Sequence, residues 1–222
     1  IPNKPPGDWG DYLRGAAWAL RKHYRLTTGL RGVVRGSDSV GGLSSSAAIE
    51  VAAGLFISES HGLGLPLSKI ALIGQKAENN FLGMMCGIMD QYASALCVPG
   101  AALFLDCRTL ETQQAPAVLG DHVFLIINTG KSRGLVDSEY NDRRKACERG
   151  VEIIAAREPG VKALRDVTPE MFDAYEQELP EEIRCKCRHV ITENPRVLEA
   201  VEKLRAGELE AFGKLMQQSH ES

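Results

Sequence analysis

Gly41, Gly42, Leu43 and the serines Ser44, Ser45 and Ser46 stand directly ahead of an alanine-rich run, in the stretch GGLSSSAAIE. A glycine-rich turn that opens a helix aims several backbone N–H groups at one place, and the positive end of the helix dipole adds to them. Glycines at 41 and 42 remove Cβ atoms that would hold a phosphate away. The serine hydroxyls can bond phosphate oxygens or ligate Mg²⁺, which prefers hard oxygen donors. The stretch is neither a Walker A loop, which needs a lysine before its Ser or Thr, nor a GxGxxG fingerprint. A plain serine-rich helix cap is the other reading of these residues.

A second stretch, AENNFLGMMCGIMDQYASAL (77–96), favours the anion reading. It holds Glu78 near the end of one expected helix and Asp90 in an otherwise apolar GIMD loop. A carboxylate in such a loop carries a desolvation cost, so it needs a partner or a purpose. Together the two can supply a metal ligand and a general base for a hydroxyl nucleophile. Taken singly, each reads as a cap or a solvated charge.

The elements that must position these groups follow from periodicity. Residues 8–23 place Trp9, Leu13, Ala16, Ala17 and Leu20 at helical spacing, with Asp8 as N-cap and basic residues at the far end. LRGVVRGSD (30–38) suits a strand leading into the serines. A buried helix then runs over 47–60 to a stop near Gly62, and a second over 66–81 with Ser68 able to cap it. AALFLDC (101–107) and HVFLIINT (122–129) read as strands, with ETQQAPAV between them as an edge strand whose proline blocks a ladder bond. From Asp137 onward the chain is helical, punctuated by Pro195 and Gly207. No internal repeat is present.

Composition bounds the rest. A chain of 222 residues with 44% hydrophobic and 25% charged content fits one large globular domain or two small ones. A net charge of −3 and a pI near 6.0 give no basic excess for nucleic acid or an anionic membrane. No apolar run reaches transmembrane length, and the start lacks a signal-peptide pattern. The six scattered cysteines read as reduced cytosolic thiols, so a cytoplasmic protein is expected, with neither nucleic acid nor membrane as partner. Cys185 and Cys187, with only His189 nearby, lack the further ligands of a metal site and read as structural.

GGLSSSAA, AENNFLGMMCGIMDQ, GAALFLDCRTLE and NTGKSRGLVDSEYNDRRKACERG, with the tail CRHVITENPRVLEAVEKLRAGELEAFGKLMQQSHES, resemble the galactokinase family. That family belongs to the superfamily of galactokinase, homoserine kinase, mevalonate kinase and phosphomevalonate kinase. The resemblance spans nearly the whole chain. CGIMDQ and SEYNDRR are specific to the sugar-kinase branch, whereas the serine loop is shared across the superfamily.

The resemblance implies an α+β, two-lobed kinase fold. A partial nucleotide-binding lobe with a mixed sheet and helices would cover residues 1–120, and a partial, more helical lobe 121–222. It implies ATP and Mg²⁺, and transfer of a phosphoryl group to the C1 hydroxyl of a small-molecule sugar, galactose first. Asp90 would act as catalytic base or orient that hydroxyl, and Gly87 beside it would contact the sugar. Glu78 and Ser46 would be the Mg²⁺ ligands, with Ser45 a rival for the serine role. Gly41 to Ser46 would wrap the β- and γ-phosphates. Tyr140 would reach the sugar through its hydroxyl, against a competing reading as a tyrosine on a buried helix face.

The chain also departs from the family pattern. Stretches resembling GRVNLIGEHTDY and GGGFGG do not occur in these 222 residues, so a fragment inactive by itself is expected. Asp38 and Val40 stand where galactokinases carry a proline and an extra glycine, which makes RGSDSVGGLSSSAA similar to the galacturonokinase loop. A uronate would need a cationic partner, for which Lys131 and Arg133 are available. A non-catalytic galactose- and ATP-binding sensor on the same fold is the alternative of another class. Ser44–Ser46, Glu78 and Asp90 argue for catalysis, and Val40 for the sensor.

Overall fold

The first helix forms because apolar side chains recur at helical spacing and its entry is clamped by carboxylates. In a computed structural model describing residues 7–36, 42–127 and 138–222, α1 spans Asp11–Arg21. The Asp11 carboxylate is buried and accepts the N–H groups of Gly7 (2.6 Å) and Asp8 (3.1 Å). Arg14 bonds Asp11 (2.7 Å) and Asp8 (2.8 Å) together. Asp8 itself accepts the N–H of Gly10, the N-cap residue, so it braces the turn ahead of the helix instead of capping it.

The helices α2 (Ser45–Ser60), α3 (Leu67–Ala77) and α4 (Met89–Leu96) follow. Pro66 stands at the N-cap of α3 with no side-chain cap, so Ser68 does not fill that role. A single π-helical turn, Glu78–Leu82, extends α3. It ends at Gly83, whose φ of 82° is the left-handed conformation that glycine adopts without strain. The hairpin β1 (Ala101–Leu105) and β2 (Thr112–Pro116) forms a two-stranded sheet closed by the Asp106 N–H to Glu111 carbonyl bond.

Next come α5 (Ser138–Ala155), α6 (Pro169–Tyr175), α7 (Glu181–Ala206) and α8 (Leu209–Glu221). The chain divides into two compact units, one of residues up to Gln114 together with 124–137, the other of 115–123 and 138–222.

In the first unit α1, α2 and α3 pack on one another, and α4 packs on α2 and α3. Ala19, Leu20, Val51, Ile57, Ile70 and Ile73 form one core cluster. A second joins Ala71, Ile88 and Tyr92 to Leu103 and Leu105 of the hairpin. Leu20 and Ile70 are fully buried, each worth about 1.5–3 kcal/mol relative to exposure. In the second unit Ile154 of α5, Phe172 of α6, Leu179, and Cys187 and Ile191 of α7 make the core.

Three expectations need correction. LRGVVRG (30–36) forms no strand, and Val33 and Val34 lie exposed; residues 37 and 38 fall outside the described residues. HVFLII (122–127) likewise forms no strand, and residues 128 and 129 fall outside them. β-Propensity records fit to a pleated, half-buried surface, and these runs have apolar side chains without that burial. Pro195 does not end a helix: α7 runs continuously through it. The proline costs about 3 kcal/mol in a helix interior, but α7 packs against α5 and α8 and buries Cys187, Ile191 and Leu204, enough to hold both halves in line. No described helix is long and apolar enough to cross a membrane.

Candidate functional site

The serine stretch becomes the entry to α2. Gly42 has φ 89°, and Ser44, the N-cap, has φ 56°. A left-handed serine is strained, a condition that persists where surrounding structure imposes it. Ser44 makes no capping bond with its side chain, so the hydroxyl is not spent on the helix end. The first N–H groups of an α-helix have no intrahelical acceptor, and those of α2 open beside an exposed Gly42 and Leu43. Gly41, Asp38, Val40, Lys131 and Arg133 lie outside the described residues.

One turn into α2, Glu50 is fully buried. Its Oε2 accepts Gln91 Nε2 at 3.2 Å, and the same nitrogen donates to Glu78 Oε2 at 2.9 Å. The Cys86 thiol donates to Glu78 Oε2 as well, at 2.8 Å. Burial, and then the nearby Glu78, push the Glu50 carboxyl up to about 9 despite the opposing Gln91 bond, so Glu50 is a neutral acid at pH 7. Burial, followed by Glu78, also raises Cys86, which stays a thiol and hence a donor. Tyr12 of α1 is raised by burial and then by Glu78 and Glu50, which places its hydroxyl in the same electrostatic neighbourhood.

Glu78 opens the π turn and is 4% exposed. Among the described residues no lysine or arginine pairs with it, and its donors are the amide of Gln91 and the thiol of Cys86, both on Oε2. Gly74 of α3 makes the arrangement possible. A Cβ there would lie 3.1 Å from Gln91 Cγ and 3.4 Å from Glu50 Cβ, so both side chains press against the α3 backbone. No group of three or more His, Cys, Asp or Glu side chains able to hold a metal occurs among the described residues.

Asp90, expected in a loop, lies half-buried in the first turn of α4, next to Gln91. Gly87 is exposed just ahead of that helix. The structure therefore gathers the start of α2, the end of α3 and the start of α4 around the Glu50–Gln91–Glu78 relay, with Ser46 one helical turn before Glu50. Tyr140 is 44% exposed on α5, in the second unit, so it does not sit on a buried helix face.

Glu50, Gln91, Cys86 and Tyr12 escaped the sequence reading. One signal existed: Glu50 is a lone charge in the apolar run AAIEVAAGLF. The second unit holds a cleft of about 440 Å³ lined by Cys147, Lys186, His189 and His220 among others, remote in sequence from every serine of the loop.

Residues 11–97 match the family described as GHMP kinases N terminal domain. The fold is similar to that of galactokinase from Lactococcus lactis, whose crystal structure was determined in complex with galactose, at 30% sequence identity and a TM-score of 0.90. The match covers 97% of this chain and 56% of that one, so the chain spans little more than half the length of that galactokinase.

Proposed function

We propose that this chain belongs to the GHMP kinase superfamily and that the protein carrying it is an ATP-dependent sugar 1-kinase with galactose as acceptor. The observation that carries the reading is Glu78: a buried carboxylate with neutral donors on one oxygen, near the opening of a helix whose serine cap is unspent. A buried carboxylate without a basic partner calls for a cation. Mg²⁺ suits a site with one or two protein oxygens, because phosphates and water complete its shell.

In this reading Gly41, Gly42, Leu43, Ser44, Ser45 and Ser46 receive the β- and γ-phosphates of ATP on backbone N–H groups and hydroxyls, helped by the α2 dipole. Glu78 and Ser46 would hold Mg²⁺, with Ser45 the alternative serine, and the ion would supply positive charge to the phosphate oxygens. Asp90 accepts or steers the proton of the sugar C1 hydroxyl. That oxygen forms its bond to the γ-phosphorus as the bond to the β–γ bridging oxygen breaks, giving ADP and galactose 1-phosphate. Gly87 contacts the sugar. Positioning and charge neutralisation carry most of the rate, since phosphoryl transfer needs little covalent help from protein.

The test is a panel of galactose, galacturonate, glucuronate and arabinose with ATP and Mg²⁺, read as sugar 1-phosphate formed by the full-length protein. Galactose should be the best acceptor. A preference for galacturonate would assign the enzyme to the uronate branch that the loop around Asp38 and Val40 resembles. Sugar-dependent ATP binding with no phosphate transfer would make it a sensor and end the kinase reading.

A further inference from the structure

One nitrogen atom holds two buried carboxyl groups in the first unit, and nothing in the reaction described above requires it. Gln91 is fully buried, and its Nε2 spends its two hydrogens on Glu50 Oε2 and Glu78 Oε2. The amide orientation is dictated by its neighbours, because the Gln91 oxygen turned toward the Glu78 carboxylate would bring two acceptors together. The Cys86 thiol joins on the same Glu78 oxygen. Among the described residues no donor reaches Glu78 Oε1, and Gly74 leaves Gln91 and Glu50 pressed on the α3 backbone with little room to turn.

We propose that Gln91, braced by Glu50, is a positioning residue for Glu78: it fixes the carboxylate through Oε2 and leaves Oε1 for a divalent cation. The inference rests on the kinase reading, since it needs a cation at Glu78. Gln91 touches no reacting atom; it acts on the orientation of the carboxylate that does the binding. Partners of this kind orient metal ligands, and losing one typically lowers metal affinity about 10–100-fold. Glu50 contributes only an acceptor on the far side of the amide, so an amide side chain in its place serves equally well.

The experiment uses the full-length protein with ADP and Mn²⁺ as a paramagnetic substitute for Mg²⁺, with Mn²⁺ affinity read by electron paramagnetic resonance. ADP affinity in EDTA and the melting temperature are measured alongside. Gln91→Met should weaken Mn²⁺ binding by about tenfold or more, with metal-free ADP affinity unchanged. Glu50→Leu, which removes the brace, should weaken it in the same direction, whereas Glu50→Gln should stay within about twofold of the parent protein. The Glu50 pair decides the matter if Gln91→Met does not fold. Equal Mn²⁺ affinity in the parent protein, Gln91→Met and Glu50→Leu overturns the clamp and leaves the kinase reading standing. A parent protein that binds ADP but no Mn²⁺ overturns the cation site, and the clamp with it.

Discussion

Gly150 of α5 and Cys187 of α7 face each other so closely that a methyl group on the glycine would overlap the cysteine sulfur. Ile183 and Leu179 stand just behind, at 3.3 and 3.5 Å from the same point, so the sulfur has nowhere to retreat. Gly150→Ala should therefore destabilise the second unit by about 1–3 kcal/mol, the usual cost of overpacking, although alanine is the better helix former. Adding Cys187→Ala should return much of that loss. Urea unfolding of both single variants and the double variant measures it, and strictly additive effects would show that the two residues do not share the space.

Glu50 gives stability an inverted pH dependence. Its folded carboxyl titrates at about 9 and an unfolded one in the ordinary carboxylate range, so between those values the native state holds a proton that the unfolded state has lost. Stability from this group falls as pH rises through that window, by at most about 1.4 kcal/mol per pH unit. Glu50→Gln should flatten the profile and gain on the parent protein between pH 5 and pH 8. Melting temperatures in EDTA without nucleotide test this; parallel profiles would mean that Glu50 is ionised in the fold.

Two half-buried thiols should react in opposite senses. The Cys187 thiol donates to Cys147 and Lys186 adds positive charge, which together lower Cys147 against the effect of its burial. Burial and Glu78 raise Cys86. Only the thiolate is nucleophilic, so iodoacetamide at pH 7 should label Cys147 at least about tenfold faster than Cys86. Peptide mass spectrometry over time reads both rates. Faster labelling of Cys86 would contradict the bond to Glu78.

Asp90→Ala in the full-length protein should slow phosphoryl transfer by about 10²–10⁴-fold, the range of a general base, with ADP affinity little changed. Single-turnover kinetics and ADP binding separate the two effects. An unchanged rate would remove Asp90 from the chemistry.

Much of the helical framework was legible because its signals are local: the apolar stripes of α1 and α3 and the mostly apolar run that became α2 needed no tertiary information. Pro195 misled because its cost is local while the packing that outweighs it is spread along α7. Val33, Val34 and the run 123–127 misled for the converse reason, carrying β-forming side chains without the burial that composition promised. The π turn at Glu78 has no sequence signature, yet it is where the buried carboxylate sits. Asp90 stood out as a charge in an apolar stretch, and Glu78 as an acidic residue near the end of an expected helix. Gln91 did not, since a glutamine after an aspartate looks like surface until Glu50, 41 positions earlier, is brought beside it.

The exposed side chains of 123–127 have a practical meaning for anyone handling the chain. Val123, Leu125 and Ile127 are 84%, 79% and 75% exposed, and Phe124 and Ile126 more than half, a contiguous oily ribbon with no charged residue inside it. Short apolar segments of high β-propensity and low charge seed intermolecular pairing. Concentrated stocks of the 222-residue polypeptide should scatter light and bind hydrophobic dyes, and a lysine in place of Leu125 should act as a gatekeeper that keeps the solution clear.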